Sequence, residues 1–411
     1  MKENRTNVAS SSRPEWKTLE SFVRQQVQKL IQEVLEEEVA EFLNRGRSER
    51  RKVDNVGYRN GHGKPRTVAM MSGTVTVRRP RVRDVDEPLR SKVLPLFVKK
   101  TNELGAMLPS LYLHGLALGD FELALRGLLG DGAPLSASSI ARLRQSWSGE
   151  YDAWCARRLD DRELVYVWAD GIYVKAGLDK EKAALLVLIG GMKDGSKEVL
   201  AVVAGHRESE ASWSEILRDL KRRGLHEPKC VVADGALGVW AAISSVWPTS
   251  KEQRCWNHKT VNVLDKLPKK EQPAATELLR AMAYASTKKE AELERLSFEK
   301  RFADHPRAVK CIKDDWDRMT TFFGFPQQHW KHLRTTNIIE SPFAAIRLRT
   351  DAAKRFKKVE SATAMLWKLL SVAESRFRKL DGANQLSDVY HGVEFIDGKK
   401  AVGEPRERRA A

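Results

Sequence analysis

The sequence predicts a multidomain α/β protein, and three observations lead to it. Between Leu164 and Asn257, β-branched runs alternate with amphipathic stretches. Residues 262–333 then read as one charged helical segment, too long to be a single loop of a compact domain. Ahead of both lies a basic, mostly helical stretch. A chain of 411 residues has room for two to four domains, and 42% hydrophobic residues is enough for real cores.

Residues 1–50 form an N-terminal helical segment. From Glu15 to Asn44 the apolar residues Trp16, Leu19, Val23, Val27, Leu30 and Val34 recur at steps of three and four. That spacing makes a helical stripe that seats either a partner helix in a dimer or another part of the same chain. Residues 51–150 form a basic DNA-binding region. It starts with a hairpin, "TVAMM" and "TVTVRR" joined at Ser72-Gly73, with cationic edges on which Arg59 and Arg66 are candidate DNA contacts. Three short helical segments follow, broken at Gly119-Asp120 and at "GDGAP", with Ser136 or Ser138 as an N-cap. Their order is that of a helix-turn-helix, which turns Ser138, Ser139, Arg142 and Arg144 toward DNA, or of a helical packing unit with no such role.

From Leu164 the strands "LVYVWAD", "GIYVKAG", "AALLVLIGGM" and "EVLAVVAGH" come in succession. They are followed by the helix "ASWSEILRDLKRRG", the strand "KCVVAD", the helix "GALGVWAAISSVW" and the strand "EQRCWN". Three antiparallel strands, a helix and then parallel strands make a ribonuclease H-like layout. The rival doubly wound nucleotide-binding fold lacks its glycine-rich phosphate loop here. This gives a first part of the core at 160–261, an all-helical insertion at 262–333 and C-terminal core helices at 334–384. Residues 385–411 lack sustained periodicity and are expected to be a flexible tail.

Lys and Arg total 72 against 55 Asp and Glu, a net charge of +17 with a pI near 9.7. A surface of that sign attracts polyanions, so double-stranded DNA is the expected partner. No run of eighteen apolar residues and no signal peptide is present, which leads to an expectation of a cytoplasmic protein without a membrane partner. The four scattered cysteines show no disulfide spacing.

The sequence twice ends a β-branched run with Ala-Asp-Gly, at Asp170 and at Asp234. A carboxylate at the end of a buried strand reaches solvent where the backbone turns, and hard Mg²⁺ prefers such oxygen ligands. Either Asp-Gly alone is an ordinary strand end. If the first and fourth strands of the sheet lie side by side, however, the two acids meet. A pair of Mg²⁺ ions, for which Mn²⁺ substitutes, then promotes phosphoryl transfer. A third acid is expected from a helix across the sheet, and Glu340 in "RTTNIIES" stands among apolar neighbours. Asn337 to Glu340 also fits a capping box, and Ser341-Pro342 a competing helix start; both leave Glu340 at a helix mouth. Arg347, Lys354 and Lys358, spaced by seven and four, share one helical face suited to phosphates or simply to solvent.

The combination of "VWADGIYVKAG", "CVVADGALGVW", "QRCWNHK" and "TTNIIESPFAAIRLRTDAAKRF" resembles the Mutator-type transposases of prokaryotic insertion sequences, which are of the DDE class. "GYRNG" and the basic hairpin resemble their N-terminal region. The resemblance implies a ribonuclease H-like catalytic domain with a helical insertion, Mg²⁺-dependent cleavage at terminal inverted repeats and strand transfer by the freed 3′-hydroxyl. It makes Asp170, Asp234 and Glu340 the catalytic, metal-holding triad, and it implies a homodimer or higher assembly, since two ends must meet. The family's Cys-x2-His feature falls on Cys255 and His258, whose role it leaves open. With His329 and His332 these two make a possible Zn²⁺ set. Trp256, Trp316 and Trp330 are either stacking platforms for an unpaired base or core residues. A catalytically silent DNA-binding regulator and a ribonuclease H-like nuclease or resolvase are the alternative functions.

Overall fold

Packing against the strands, not apolar spacing alone, decides which part of the first helix is buried. In the computed structural model, residues 16–50, 52, 57–96, 98–104, 107, 111, 129, 137–177, 182–205, 208–235, 237–353 and 355–401 are described. The chain divides into two units, residues 1–143 and 144–411. In the first, helix α1 (Leu19–Phe42) is followed by strands β1 (Tyr58–His62), β2 (Arg66–Met70), β3 (Gly73–Val77) and β4 (Pro80–Arg83). Strands β2 and β3 form the expected hairpin, but Met70 pairs with Gly73, so the turn is Met71-Ser72, one residue earlier than expected.

The buried row of this segment is Leu35, Val39 and Leu43, with Ile31 half-buried one turn earlier. Ile31 and Leu35 pack with Val68, Val75, Val77 and Leu94 in one cluster. The stripe read from the sequence is a different one, and Trp16, Leu19, Val23 and Leu30 on it remain exposed. The hairpin covers only the second half of α1, and that determines which residues are buried. Of the three helical segments expected beyond residue 101, only the last is well described, as α2 (Ala137–Cys155). Gly119-Asp120 and "GDGAP" lie outside the described residues.

The second unit is built on a five-stranded mixed sheet. Strands β5 (Leu164–Val174), β6 (Ala183–Met192), β7 (Lys197–Gly205), β8 (Cys230–Ala233) and β9 (Lys251–Arg254) lie in the order β7-β6-β5-β8-β9. The first three are antiparallel, while β8 and β9 run parallel to β5. The first and fourth strands of this sheet are therefore neighbours, and Ala169 pairs with Ala233. One expectation fails: "LVYVWAD" and "GIYVKAG" are not two strands. β5 runs straight through Asp170, which pairs with Val187, because the hairpin partner continues past it.

Helices α3 (Glu210–Arg222) and α4 (Leu237–Val246) cover one face of the sheet. Trp213, Leu217, Ile243 and Trp247 there meet Val167, Ala169, Leu186 and Val231. The alternation of β5 sends Tyr166 and Trp168 to the opposite face. There Tyr166 bonds His329 and the Trp168 indole donates to the His332 carbonyl.

After β9 the chain is helical from α5 (Trp256–Leu264) through α6 (Gln272–Tyr284), α7 (Lys288–Arg301), α8 (Pro306–Lys313), α9 (Trp316–Thr320) and α10 (Trp330–Leu333), linked by turns and short 3-10 segments. No strand occurs among the described residues of this insertion. Its core is aromatic, with Phe298, Phe302, Phe322 and Trp330 buried. Asp315 ties it to the sheet by accepting from Lys259 and lying 3.6 Å from Arg254, both nearly buried cations. Helices α11 (Asn337–Ala353) and α12 (Val359–Glu374) then return to the sheet against β5 and β7.

The tail expected to be flexible from residue 385 is folded as far as residue 401. Helix α13 (Ala383–Tyr390) buries Leu386 and Val389, and strands β10 (Phe395–Ile396) and β11 (Lys399–Lys400) pair across a turn. That turn is fastened to the insertion by the bonds from Gln327 N to the Gly398 carbonyl and from Lys288 N to Asp397. Few apolar residues suffice because the insertion supplies the surface they bury against. No helix of the described residues is long and apolar enough to cross a membrane.

Candidate active site

Adjacent parallel strands bring the two Ala-Asp-Gly segments together. Asp170 lies half-buried within β5, and one of its oxygens accepts the Gly171 amide at 2.8 Å. Burial pushes its carboxyl up to about 7, against the pull of that amide. The charges of Asp234 and Glu340 raise it further, and His258 lowers it. The three acids predicted from sequence therefore lie within electrostatic reach of one another.

Asp234 follows the last residue of β8, and here the backbone does turn. Gly235 has φ +84°, a left-handed conformation that side chains other than glycine adopt only with strain. A β-carbon at 235 would also overlap the Arg254 guanidinium, which packs against the glycine. Glycine is thus favoured here by φ, and any side chain would also have to displace the Arg254 guanidinium.

Glu340 comes from the first turn of α11. The helix begins earlier than the Ser341-Pro342 alternative requires, and Pro342 lies inside it. Neither Asn337 nor Ser341 caps it: the helix starts at Asn337, and the Thr336 carbonyl accepts the Glu340 amide at 3.0 Å, which puts Thr336 in the capping position. Its hydroxyl contacts Glu340 Oε1, lies 3.2 Å from Cys255 Sγ and is 3.5 Å from His258 Nδ1. Cys255 sits at the end of β9, its amide bonded to the Ala233 carbonyl next to Asp234, and it opens α5. Cys255, His258 and Glu340 thus share one threonine.

His258 Nδ1 stands 4.0 Å from Glu340. A hydrogen bond to Cys255 raises its pKa to about 9; burial opposes the shift, and the charges of Cys255, Glu340 and Asp234 add to it. Burial pushes the Cys255 thiol up, but bonds to His258 and Thr336 outweigh it and leave the thiol below its ordinary value. His258 is therefore an imidazolium at neutral pH, which places one positive charge among the carboxylates.

The remaining predicted residues fare differently. Arg59 pairs with Glu36 at 3.0 Å, and Arg66 donates to the carbonyls of Pro95 and Val98, so both guanidiniums have partners within the first unit. The side chain of Arg142 and those of Ser138, Ser139 and Arg144 lie outside the described residues, as does Lys354. Arg347 is exposed on α11, but Lys358 is not on that helix: it precedes α12 with extended backbone, so the shared face does not exist. The helix ends at Ala353, before the last of the three positions.

The four-residue zinc set is not assembled. His329 bonds the Tyr166 hydroxyl and the Gly382 carbonyl, and His332 accepts the Asp381 amide. Burial lowers both pKa values, that of His332 to about 4, so they are neutral structural groups. Among the described residues the only group of metal-binding side chains is Cys255, His258 and Glu340, with ligand atoms within 4.8 Å. The three tryptophans are core residues: Trp256, Trp316 and Trp330 are at most 8% exposed.

Sequence reasoning missed three residues of this site. Thr336 was legible as a capping candidate immediately before "NIIE", but its bond to Cys255 spans 81 positions. Arg254 and Glu208 carry no local signal. Glu208 enters α3 and lies over Gly171, where a β-carbon would overlap its carboxylate.

The model of the family described as "Transposase, Mutator family" matches residues 1–379. The chain is 44% identical over 297 residues to the transposase for insertion sequence element IS6120 of Mycolicibacterium smegmatis, covering 72% of this chain and 92% of that protein. It is 38% identical over 278 residues to the transposase for element IST2 of Acidithiobacillus ferrooxidans, covering 67% and 94% respectively. To the transposase for element ISRM5 of Rhizobium meliloti it is 30% identical over 348 residues, covering 84% and 85%.

Proposed function

The chain belongs to the Mutator family of transposases, enzymes that process the DNA of insertion sequences, and from this premise we propose that it cuts and joins DNA ends at Asp170, Asp234 and Glu340. The observation that carries the proposal is the adjacency of β5 and β8, which brings Asp170 and Asp234 into mutual repulsion beside Glu340. The strand order supports a ribonuclease H-like catalytic domain interrupted by the helical insertion.

The donor set fits a hard divalent cation. Three carboxylates lie within electrostatic reach of one another, and the burial that raises Asp170 to about 7 is the cost that a bound cation offsets. Asp170, Asp234 and Glu340 would hold Mg²⁺, or Mn²⁺ in its place, and when bound the ions supply activation of the attacking oxygen and stabilisation of the departing 3′-oxygen. Thr336 orients one oxygen of Glu340. The His258 imidazolium, 4.0 Å from Glu340, is the positive group that can donate a hydrogen bond to a phosphate held at the acids. No side chain need form a covalent bond with DNA. The N-terminal unit recognises terminal inverted repeats, Arg347 and Lys358 hold phosphates, and two copies or more bring two ends together.

A labelled duplex carrying one element end, incubated with the protein and Mg²⁺, tests this. Cleavage at the end, abolished in Asp234→Ala with binding retained, is the expected result. Binding without nicking in either Mg²⁺ or Mn²⁺ would leave a DNA-binding regulator, and cleavage indifferent to end sequence would leave a nuclease.

A further inference from the structure

A sulfur, an imidazole nitrogen and a carboxylate oxygen meet at the neck of the helical insertion. The ligand atoms of Cys255, His258 and Glu340 all lie within 4.8 Å of one another, with His258 Nδ1 4.0 Å from Glu340. Chain geometry produces the cluster. Cys255 caps α5 and His258 follows three positions later, so the two side chains share one face of its first turn. Glu340 arrives from the first turn of α11, beyond the insertion. The two chain segments are also tied directly, because the Trp256 amide donates to the Arg334 carbonyl at 2.8 Å.

The donor types decide which ion fits. Mg²⁺ takes oxygen and makes no use of a thiol, whereas Zn²⁺ takes sulfur, nitrogen and carboxylate oxygen together. Bonds of about 2.0–2.3 Å around a tetrahedral ion put its ligand atoms about 3.5 Å apart, so the observed spacing has to close by only roughly 1 Å. Thr336 already supports such a set. Its hydroxyl lies 3.2 Å from the sulfur and 3.5 Å from Nδ1 and bonds the carboxylate, which turns the three donors toward one point. Cys255 is buried, while the His258 and Glu340 side chains are 40% and 31% exposed, so an ion enters from their side and keeps its fourth position for water.

We infer that Cys255, His258 and Glu340 form a site for one thiophilic divalent cation of the Zn²⁺ class, a clasp that joins the two ends of the insertion. It shares only Glu340 with the hard-cation site and does not depend on the reading of Asp170 and Asp234 as Mg²⁺ ligands. On binding, the proton of the Cys255–His258 hydrogen bond passes to water, and sulfur and nitrogen both turn to the ion.

Co²⁺ and Cd²⁺ titrated into the full chain, reduced and without DNA, test the inference. Expected are one Co²⁺ per chain with the visible bands of four-coordinate geometry, a cadmium–thiolate charge-transfer band in the ultraviolet, and a higher melting temperature with Zn²⁺ than in chelator. Cys255→Ser should abolish the thiolate band, and His258→Gln and Glu340→Gln should each weaken Cd²⁺ binding by at least about 10-fold. Cys155→Ser and Cys311→Ser, which remove the two half-buried thiols elsewhere, should change nothing. Asp170→Asn should keep the band, and its loss there would refute a separate site. The inference is overturned if the parent shows no thiolate band or if the band survives Cys255→Ser. Unchanged Cd²⁺ affinity in both His258→Gln and Glu340→Gln, whose partly exposed side chains can be replaced without unfolding the chain, overturns it equally.

Discussion

Thr336 and Cys255 meet through two bonds: the threonine amide lies 3.4 Å from the Cys255 sulfur and the threonine hydroxyl 3.2 Å from it. The same hydroxyl reaches Glu340, so the end of β9 and the start of α11 are fixed to each other at the site.

Thr336→Val removes the hydroxyl with little change in volume. Because partners that orient a ligand typically contribute 10- to 100-fold, end cleavage should fall by about that factor while binding of end DNA is retained. Thr336→Ser restores the hydroxyl and should recover most of the rate. Equal rates in Thr336→Val and the parent would show that Glu340 needs no such support.

Asp170 sets a pH dependence. Its folded pKa of about 7 lies above the ordinary value of 3.8, so its protonated form favours the fold. That contribution is complete below about 3.8 and is lost as pH rises to about 7, after which the ionised carboxylate is a net cost. Asp170→Asn should therefore raise the melting temperature in chelator at pH 8 by several degrees, and hardly at all at pH 4. Mg²⁺-dependent cleavage by the parent should fall as pH drops below 7, because protons compete for the ligand.

The partner of His258 determines its charge. In the parent the imidazole stays protonated up to about 9. Cys255→Ala removes the largest cause, so the pKa should fall toward 6.5 and the ring should be neutral at pH 8 yet charged at pH 6. Cleavage should then suffer more at pH 8 than at pH 6, and proton magnetic resonance of the His258 ring follows the titration directly. A His258 resonance that still titrates near 9 in the variant would contradict the pairing.

Asp315 is the anion that Lys259 and Arg254 share, with those side chains only 5% and 8% exposed. Asp315→Ala leaves two nearly buried cations without their acid and should cost about 3–5 kcal/mol in urea denaturation. Asp315→Asn, which still accepts a hydrogen bond, should cost less.

Local pattern made much of this molecule legible. Strand runs, the α3 stripe and the helical character of 262–333 are consequences of periodicity, and periodicity is a property of neighbours in the chain. The adjacency of Asp170 and Asp234 followed from strand order once the elements were recognised. What escaped has long-range causes. Nothing near residue 208 in the sequence shows that Gly171 leaves room for its side chain, and nothing near Trp16 shows that the hairpin stops short of it. The tail was misjudged because its few apolar residues are buried by the insertion rather than by each other. His329 and His332 match a ligand spacing, yet Tyr166 and Gly382 claim one and Asp381 the other.

The helical insertion separates Asp234 from Glu340, and this affects the order in which the protein acquires its chemistry. Synthesis delivers the N-terminal unit first, then two acids of the sheet, then the whole insertion, and only afterwards Glu340 with the helix that carries it. A ribosome that stalls anywhere before that point releases a chain that lacks Glu340. On the function proposed above, in which the N-terminal unit recognises ends, such fragments would compete with the full-length chain for those ends without cutting them.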